Sequence, residues 1–185
     1  MDSALSAGAP TIQVRSKEAG AAELLALADR LAARIRAAGA LLIINDRLDV
    51  ALAVGADGVH LGPDDLPVSA ARQAAPDGFL IGYSTAEPAD ARRAVAEGAS
   101  YLGCGAVYGT VNKVDAGDAI GPDGLRRVVA AVDVPVVGIG GITPARVEEV
   151  ASTGAAGCAV IGAIMESWDP GGTARELLAA FEEPR

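Results

Sequence analysis

The apolar positions of this chain come in short bursts between longer, half-polar stretches. Leu41-Leu42-Ile43-Ile44 is a continuous run that stops abruptly at Asn45-Asp46-Arg47. Gly58-Val59-His60-Leu61-Gly62 repeats the arrangement before Pro63-Asp64-Asp65-Leu66-Pro67. Runs of this kind fit strands buried on both faces, as in a parallel sheet under helices. The pattern predicts strands at 11–14, 41–44, 58–61, 79–82, 101–105, 135–139 and 159–161. Between them it predicts helices near 21–38, 49–54, 68–75, 88–97, 122–131, 144–153 and 173–181. On the longest helix Leu24, Leu25, Leu27, Leu31 and Ile35 fall mostly on one stripe, with Arg30, Arg34 and Arg36 largely off it. Pro88 and Pro144 suit first helical turns, with Thr143 as an N-cap.

A Gly followed by a small residue precedes strand after strand: Gly8-Ala9, Gly39-Ala40, Gly55-Ala56, Gly98-Ala99 and Gly154-Ala155. Each reads as a helix end closed by a left-handed glycine, with the next strand starting at once. Short αβ connections in series mean alternating β and α with a parallel sheet. Seven strands emerge where a closed barrel has eight. The opening residues 1–8 read as the last turn of a helix with its glycine cap. The expectation is therefore a (β/α)8 TIM barrel forming one phosphate-binding domain over 1–185, lacking the first strand and most of the first helix. A doubly wound open sheet is the alternative, ranked lower because no Gly-x-Gly-x-x-Gly follows an early strand.

Composition narrows the partners. A formal charge of −9 argues against nucleic acid as the main partner. Small anionic substrates stay compatible, because a local cluster of Arg, Lys and metal overrides the global sign. No apolar run is long enough to span a bilayer and no signal peptide is evident, so the expected location is cytoplasmic, without membrane partners. The two cysteines, Cys104 and Cys158, lie in or beside predicted strands and read as small buried hydrophobes in a reducing compartment. Oligomeric state stays open, a homo-oligomer included.

Candidate chemistry gathers where apolar runs stop, the end of a strand at which ligands bind in α/β sheets and barrels. Gln13, Arg15 and Lys17 alternate with Val14 and Ser16, which puts all three on one face. Such a face is costly unless it meets a ligand or solvates an edge strand. A guanidinium fork and an ammonium point charge suit a diphosphate. Asn45 and Asp46 end one strand, and Asp65 follows the next. Each acid alone also fits a turn or a helix start. Together, Asp46 and Asp65 sit at the ends of neighbouring strands, close enough to share a hard cation such as Mg²⁺. The single histidine, His60, lies within a strand and reads as an interior residue rather than a base. Ser84-Thr85 again place hydroxyls at a strand end, or cap the next helix. A donor-rich loop over 105–113 ends in Lys113, within reach of a phosphate or leaving group. Glycines at the last two strand ends, in Gly138-Ile139-Gly140-Gly141-Ile142 and Val160-Ile161-Gly162-Ala163-Ile164, let backbone N–H groups approach an anion, or simply make tight turns.

These residues resemble the thiamine-phosphate synthase family, with its thiazole tautomerase relatives. The likeness is carried by Gln13-Val14-Arg15-Ser16-Lys17, by residues 44–53, by Gly55-Ala56-Asp57-Gly58-Val59-His60-Leu61-Gly62 with Asp64-Asp65-Leu66-Pro67, by Ile81-Gly82-Tyr83-Ser84-Thr85, by Gly109-Thr110-Val111-Asn112-Lys113 and by Ile139-Gly140-Gly141-Ile142. It covers nearly the whole chain. The resemblance implies Mg²⁺-dependent coupling of a hydroxymethylpyrimidine diphosphate to a thiazole phosphate, giving thiamine phosphate and diphosphate. It implies that Arg15, Lys17, Asn45, Ser84 and Lys113 hold the diphosphate, with Arg15, Lys17 and Lys113 neutralising the leaving group. It implies Asp46 and Asp65 as Mg²⁺ ligands, Gln13, Thr110 and Asn112 as pocket lining, and Gly141 with the backbone around Gly162 as the thiazole-phosphate site. The chain departs from the family pattern at Asn112 and Gly162, where Thr and Ser are usual, and at Ala106 and Gly109, where prolines are usual. Two alternatives accompany the synthase: a tautomerase-like isomerase, whose histidine would fall at Ala106, and a non-catalytic binder of thiazole phosphate.

Overall fold

The computed structural model describes residues 1–109 and 118–182. Its elements alternate along the chain: α1 (Asp2–Ser6), β1 (Thr11–Val14), α2 (Ala21–Ala37), β2 (Leu41–Asn45), α3 (Leu48–Val54), β3 (Gly58–Leu61), α4 (Val68–Ala74), β4 (Leu80–Thr85), α5 (Pro88–Ala96), β5 (Tyr101–Cys104), α6 (Gly121–Val129), β6 (Val136–Ile139), α7 (Pro144–Ala151), β7 (Gly157–Ala159), α8 (Gly162–Met165) and α9 (Pro170–Glu182). The strands form one seven-stranded sheet in chain order, every pair parallel. That order has no point of reversal, so the sheet is TIM-barrel-like and the doubly wound alternative falls away.

The repeated glycines do what their position predicts. Gly8, Gly39, Gly55, Gly98 and Gly154 all have positive φ, between 63° and 105°. At the first of them Gly8 N–H donates to Leu5 O and Ala9 N–H to Ala4 O, closing α1 before β1 begins. α1 then packs against α9, so the first and last helices meet although β1 and β7 are not paired with each other. This contact carries the helical layer round the sheet.

Side chains alternate across the sheet. Leu42, Ile44, Val59, Leu61, Ile81, Leu102 and Cys104 enter the core shared with the helices. Each such aliphatic burial contributes roughly 1.5–3 kcal/mol. The opposite face carries Ile43, His60, Ser84 and Tyr101, with Gly58, Gly82 and Gly103 between them. Those glycines make room for large neighbours. A Cβ on Gly82 would stand 2.5 Å from His60 Nδ1, and one on Gly103 2.9 Å from His60 Cε1.

Two expectations need correction. The last strand is Gly157–Ala159, two residues earlier than predicted, because Val160 and Ile161 have left the sheet and Ile161 caps α8. β4 runs Leu80–Thr85 and not 79–82, so Ser84 and Thr85, read from the sequence as hydroxyls at a strand end, belong to the strand itself. Thr143 does occupy the N-cap of α7, without a side-chain cap hydrogen bond.

Candidate active site

The site is built at the carboxyl ends of β1 to β6, where each strand hands over to its connection. β1 ends at Val14, so Arg15 and Lys17 project from the connection rather than from a strand face as period two predicts. The departure brings Lys17 Nζ to 3.4 Å from Asp46 Oδ2. Gln13, in register with Ile43, is exposed on the sheet face away from the helices, and Arg15 is half-buried.

Asp46 follows β2 directly. Its φ of 63° makes it the non-glycine residue with positive φ among the described residues, and its N–H donates to His60 O at 2.8 Å. A left-handed Asp costs on the order of 1 kcal/mol and turns the carboxylate sharply off the strand end. Arg47 is spoken for elsewhere: its Nε donates to Asp49 Oδ1 at 2.9 Å at the start of α3. Asn45 is buried beside His60 in the strand register.

Asp65 lies four positions beyond β3, where its Oδ2 accepts the Gly62 N–H at 2.7 Å. Burial lifts its carboxyl above the usual range, and the adjacent Asp46 carboxylate lifts it further, against the Gly62 N–H and the more distant pull of Lys17. The structure thus brings Asp46, Asp65 and Lys17 into one electrostatic cluster. Among the described residues no group of three or more His, Cys, Asp or Glu side chains gathers into a metal-binding set.

His60 is an interior residue, as the sequence predicts, and it is tied on both sides. Tyr101 Oη lies 3.0 Å from its Nδ1 and Ser84 Oγ lies 2.8 Å from its Nε2. Ser84 therefore belongs to this buried chain, while Thr85 accepts the Glu87 N–H at 3.1 Å just ahead of α5, whose N-cap Glu87 makes no side-chain cap hydrogen bond. Tyr101 was not among the residues singled out from the sequence. Its signal was available: a phenol on the same sheet face as a histidine, opposite Gly82 in register.

At the end of β6, Gly140 and Gly141 have φ of 92° and 64°. A Cβ on Gly141 would stand 2.5 Å from Gly109 O and 2.8 Å from Tyr108 Cβ, so the turn fits flush against the root of the neighbouring loop. That root is fixed on both sides. Tyr108 N–H donates to Gly140 O at 3.0 Å, and Ile120 and Gly121 N–H donate to Ala106 O and Val107 O. Tyr108 Oη donates to Glu149 Oε2 at 2.6 Å, and Arg146 stacks over the Tyr108 ring at 4.6 Å. Thr110, Asn112 and Lys113 lie outside the described residues. Gly162 opens the short helix α8 and is half-buried.

Other arginines are structural. Arg36 donates to Val54 O and Gly55 O, and Arg72 to Phe79 O, Gly98 O and Ser100 Oγ. These contacts secure the connections that enter β3, β4 and β5, at the opposite end of the sheet from the acids.

A sequential parallel sheet with an acid pair, cations and a glycine turn at its carboxyl ends defines a barrel-type α/β protein with a polar ligand site. The comparisons narrow that class. The profile of the family described as thiamine monophosphate synthase matches residues 1–164, and the chain belongs to that family. It is 46% identical over 174 residues to the thiamine-phosphate synthase of Moorella thermoacetica, covering 94% of this chain and 83% of that protein. It is 49% identical over 178 residues to the thiamine biosynthesis bifunctional protein ThiM/ThiE of Symbiobacterium thermophilum, covering 96% of this chain but spanning only 37% of that longer protein. Among solved structures, the thiamine phosphate pyrophosphorylase of Pyrococcus furiosus superposes with a TM-score of 0.90 at 42% identity, covering 98% of this chain and 87% of that one.

Proposed function

We propose that this chain is a thiamine-phosphate synthase that couples a hydroxymethylpyrimidine diphosphate to a thiazole phosphate. The observation that carries the reading is the Lys17–Asp46–Asp65 cluster at neighbouring strand ends, in a chain of this family. In the reaction the methylene–oxygen bond breaks and its electron pair leaves with diphosphate. The thiazole nitrogen supplies the pair for the new carbon–nitrogen bond. That nitrogen carries no proton, so no general base is needed, which fits a site whose one histidine is held between two hydroxyls.

The donor set fits a hard divalent cation. Burial first, and then the neighbouring Asp46 carboxylate, hold Asp65 above its usual range, and the two acids gain by sharing a positive ion. Asp46 and Asp65 would hold Mg²⁺, which would neutralise charge gathering on the departing diphosphate. Arg15, Lys17, Asn45, Ser84 and Lys113 bind that diphosphate and stabilise it as it leaves. Gln13, Thr110 and Asn112 line the pyrimidine pocket. Gly141 and the backbone at Gly162 receive the thiazole phosphate. Holding the two substrates in line is the larger part of the work. The tautomerase alternative wants a proton-shuttling group where this chain has Ala106, which is buried and apolar.

The same reading takes the seven strands as the second to eighth of a (β/α)8 barrel. It places the enzyme in the cytoplasm, acting on small molecules. Among the described residues no helix is long and apolar enough to cross a membrane. A homo-oligomer is compatible with it.

The experiment is diphosphate release by the purified chain with both substrates, with and without Mg²⁺. Release that requires the thiazole phosphate and Mg²⁺ is the expected result. Absence of release, with thiazole phosphate still bound, would replace the synthase with a binder.

A further inference from the structure

We infer that His60 and Tyr101 are positioning residues for Ser84, setting its hydroxyl proton to point out of the sheet towards the diphosphate. The inference rests on the reading of Ser84 as a diphosphate ligand and extends that ligand set inward by two residues.

Three strands supply the chain: His60 from β3, Ser84 from β4 and Tyr101 from β5. The distances are hydrogen-bond distances at both joints, 3.0 Å from Tyr101 Oη to Nδ1 and 2.8 Å from Nε2 to Ser84 Oγ. The glycines opposite are the condition for it, since a Cβ at Gly82 or Gly103 would press into the imidazole.

The direction of the protons follows from the far end. Burial raises the Tyr101 phenol well above its ordinary range, so it keeps its proton. Among the described residues its hydroxyl has one hydrogen-bond partner, His60 Nδ1. If Nδ1 carried a hydrogen, the phenol proton would have no acceptor and a buried donor would stand unsatisfied. Tyr101 therefore donates, Nδ1 accepts, and the ring hydrogen sits on Nε2. Nε2–H then donates to Ser84 Oγ. With its lone pair engaged from behind, the serine has its own O–H free to turn outward. A donor poised there before substrate arrives suits an anion whose charge grows as it leaves. The reversed chain would turn the serine proton inward and present lone pairs to an anion.

The test measures binding of inorganic diphosphate with Mg²⁺ by calorimetry, beside thiazole-phosphate binding and melting temperature. Ser84→Ala is expected to weaken diphosphate about tenfold. His60→Asn keeps an amide near the Nδ1 position but falls short of Ser84, and is expected to match that loss. His60→Gln reaches the Nε2 position, can donate to Ser84, and is expected to stay within about threefold of the parent. The double variant Ser84→Ala with His60→Asn is expected to be no weaker than Ser84→Ala alone. Thiazole-phosphate binding stays unchanged throughout. Tyr101→Phe, which keeps the ring, gives a second route should His60→Asn not fold: it weakens diphosphate with Ser84 present and has no further effect without it.

Additive losses, or a His60→Asn variant with parental diphosphate affinity beside a weakened Ser84→Ala, would overturn the positioning role and leave the Ser84 assignment standing. An unaffected Ser84→Ala would overturn both.

Discussion

Lys17 Nζ pairs with Asp46 Oδ2 at 3.4 Å, joining the first two βα connections across the mouth of the sheet. The lysine faces two demands of opposite sign. It relieves the repulsion between Asp46 and Asp65, and in the proposed reaction it also grips a diphosphate. A cation bound at the two acids would compete with it. Lys17→Met is therefore expected to tighten Mg²⁺ a few-fold, since a nearby positive charge is removed, an effect on the order of 0.5–1 kcal/mol at a half-exposed site. The same variant is expected to lose at least about tenfold in turnover. Calorimetric Mg²⁺ binding and a diphosphate-release assay check the two signs separately. Weaker metal binding would show that Lys17 does not share the acids' site.

Asp65→Ala removes a carboxylate that accepts a structural hydrogen bond from the Gly62 N–H. Losing it costs about 1 kcal/mol of stability, because the group is partly exposed and water can replace it. The expected result is a folded protein without Mg²⁺-dependent turnover. Full activity in that variant would remove Asp65 from the proposed metal site.

Much of this arrangement was legible before any coordinates. The apolar run at Leu41–Asn45 and its polar stop sit where the pattern puts them, and the glycine repeat marked the ends of α1, α2, α3, α5 and α7, though not those of α4 and α6. Lys17 and Asp46 were read as separate candidates, but not as a pair. Period two continues a strand through Arg15 and Lys17, whereas the chain leaves the sheet after Val14. The end of β7 was misread for a related reason: the run from Ala159 to Ile164 is apolar throughout, and periodicity does not separate a strand end from a short helix. The His60–Ser84–Tyr101 chain depends on the register of three strands at once, which local sequence does not encode. What the sequence does show is glycine at 82 and 103, the empty positions that the imidazole needs.

Gly141 and Gly39 separate a crowded left-handed turn from an open one. Their φ values are 64° and 70°. Nothing lies within 4 Å of a Cβ on Gly39, while one on Gly141 would overlap Gly109 O and Tyr108 Cβ. Gly39→Ala is expected to cost about 1 kcal/mol, the left-handed penalty partly offset by a stiffer unfolded chain. Gly141→Ala must also push the loop root away and is expected to cost more than about 2 kcal/mol, with weaker thiazole-phosphate binding. Urea unfolding of the two variants checks the ranking. Equal costs would mean that the loop root does not press on the Gly140–Gly141 turn.

The cysteines are expected to be inert in the native protein. Burial pushes the Cys104 thiol up to about 12 and the Cys158 thiol up to about 11. The thiolate is the reactive form, so at pH 8 both present only a trace of it, on the order of one part in a thousand or less. A disulfide exchange reagent should modify neither in the folded protein and both in denaturant. Rapid reaction of a native thiol would place it at the surface.

Tyr108 gives the stability a pH signature. Burial, then the hydrogen bond to Glu149, push its phenol up to about 12 from an ordinary value of 10.0. Below pH 10 the group is protonated folded and unfolded, and its contribution is fully present. Between about 10 and 12 the unfolded chain loses the proton while the folded one keeps it, so stability falls as pH rises through that window. Tyr108→Phe keeps the ring under Arg146 and removes both the bond and the titration. It is expected to cost about 1 kcal/mol at pH 8, a modest sum for a bond near the surface. The gap between parent and variant should then narrow as pH approaches 12. Denaturant midpoints from pH 8 to 11.5 measure that gap directly. A gap that stays flat across the window would mean that Tyr108 and Glu149 do not hold the loop root in solution. The Gly140–Gly141 turn would then be the better anchor of that segment.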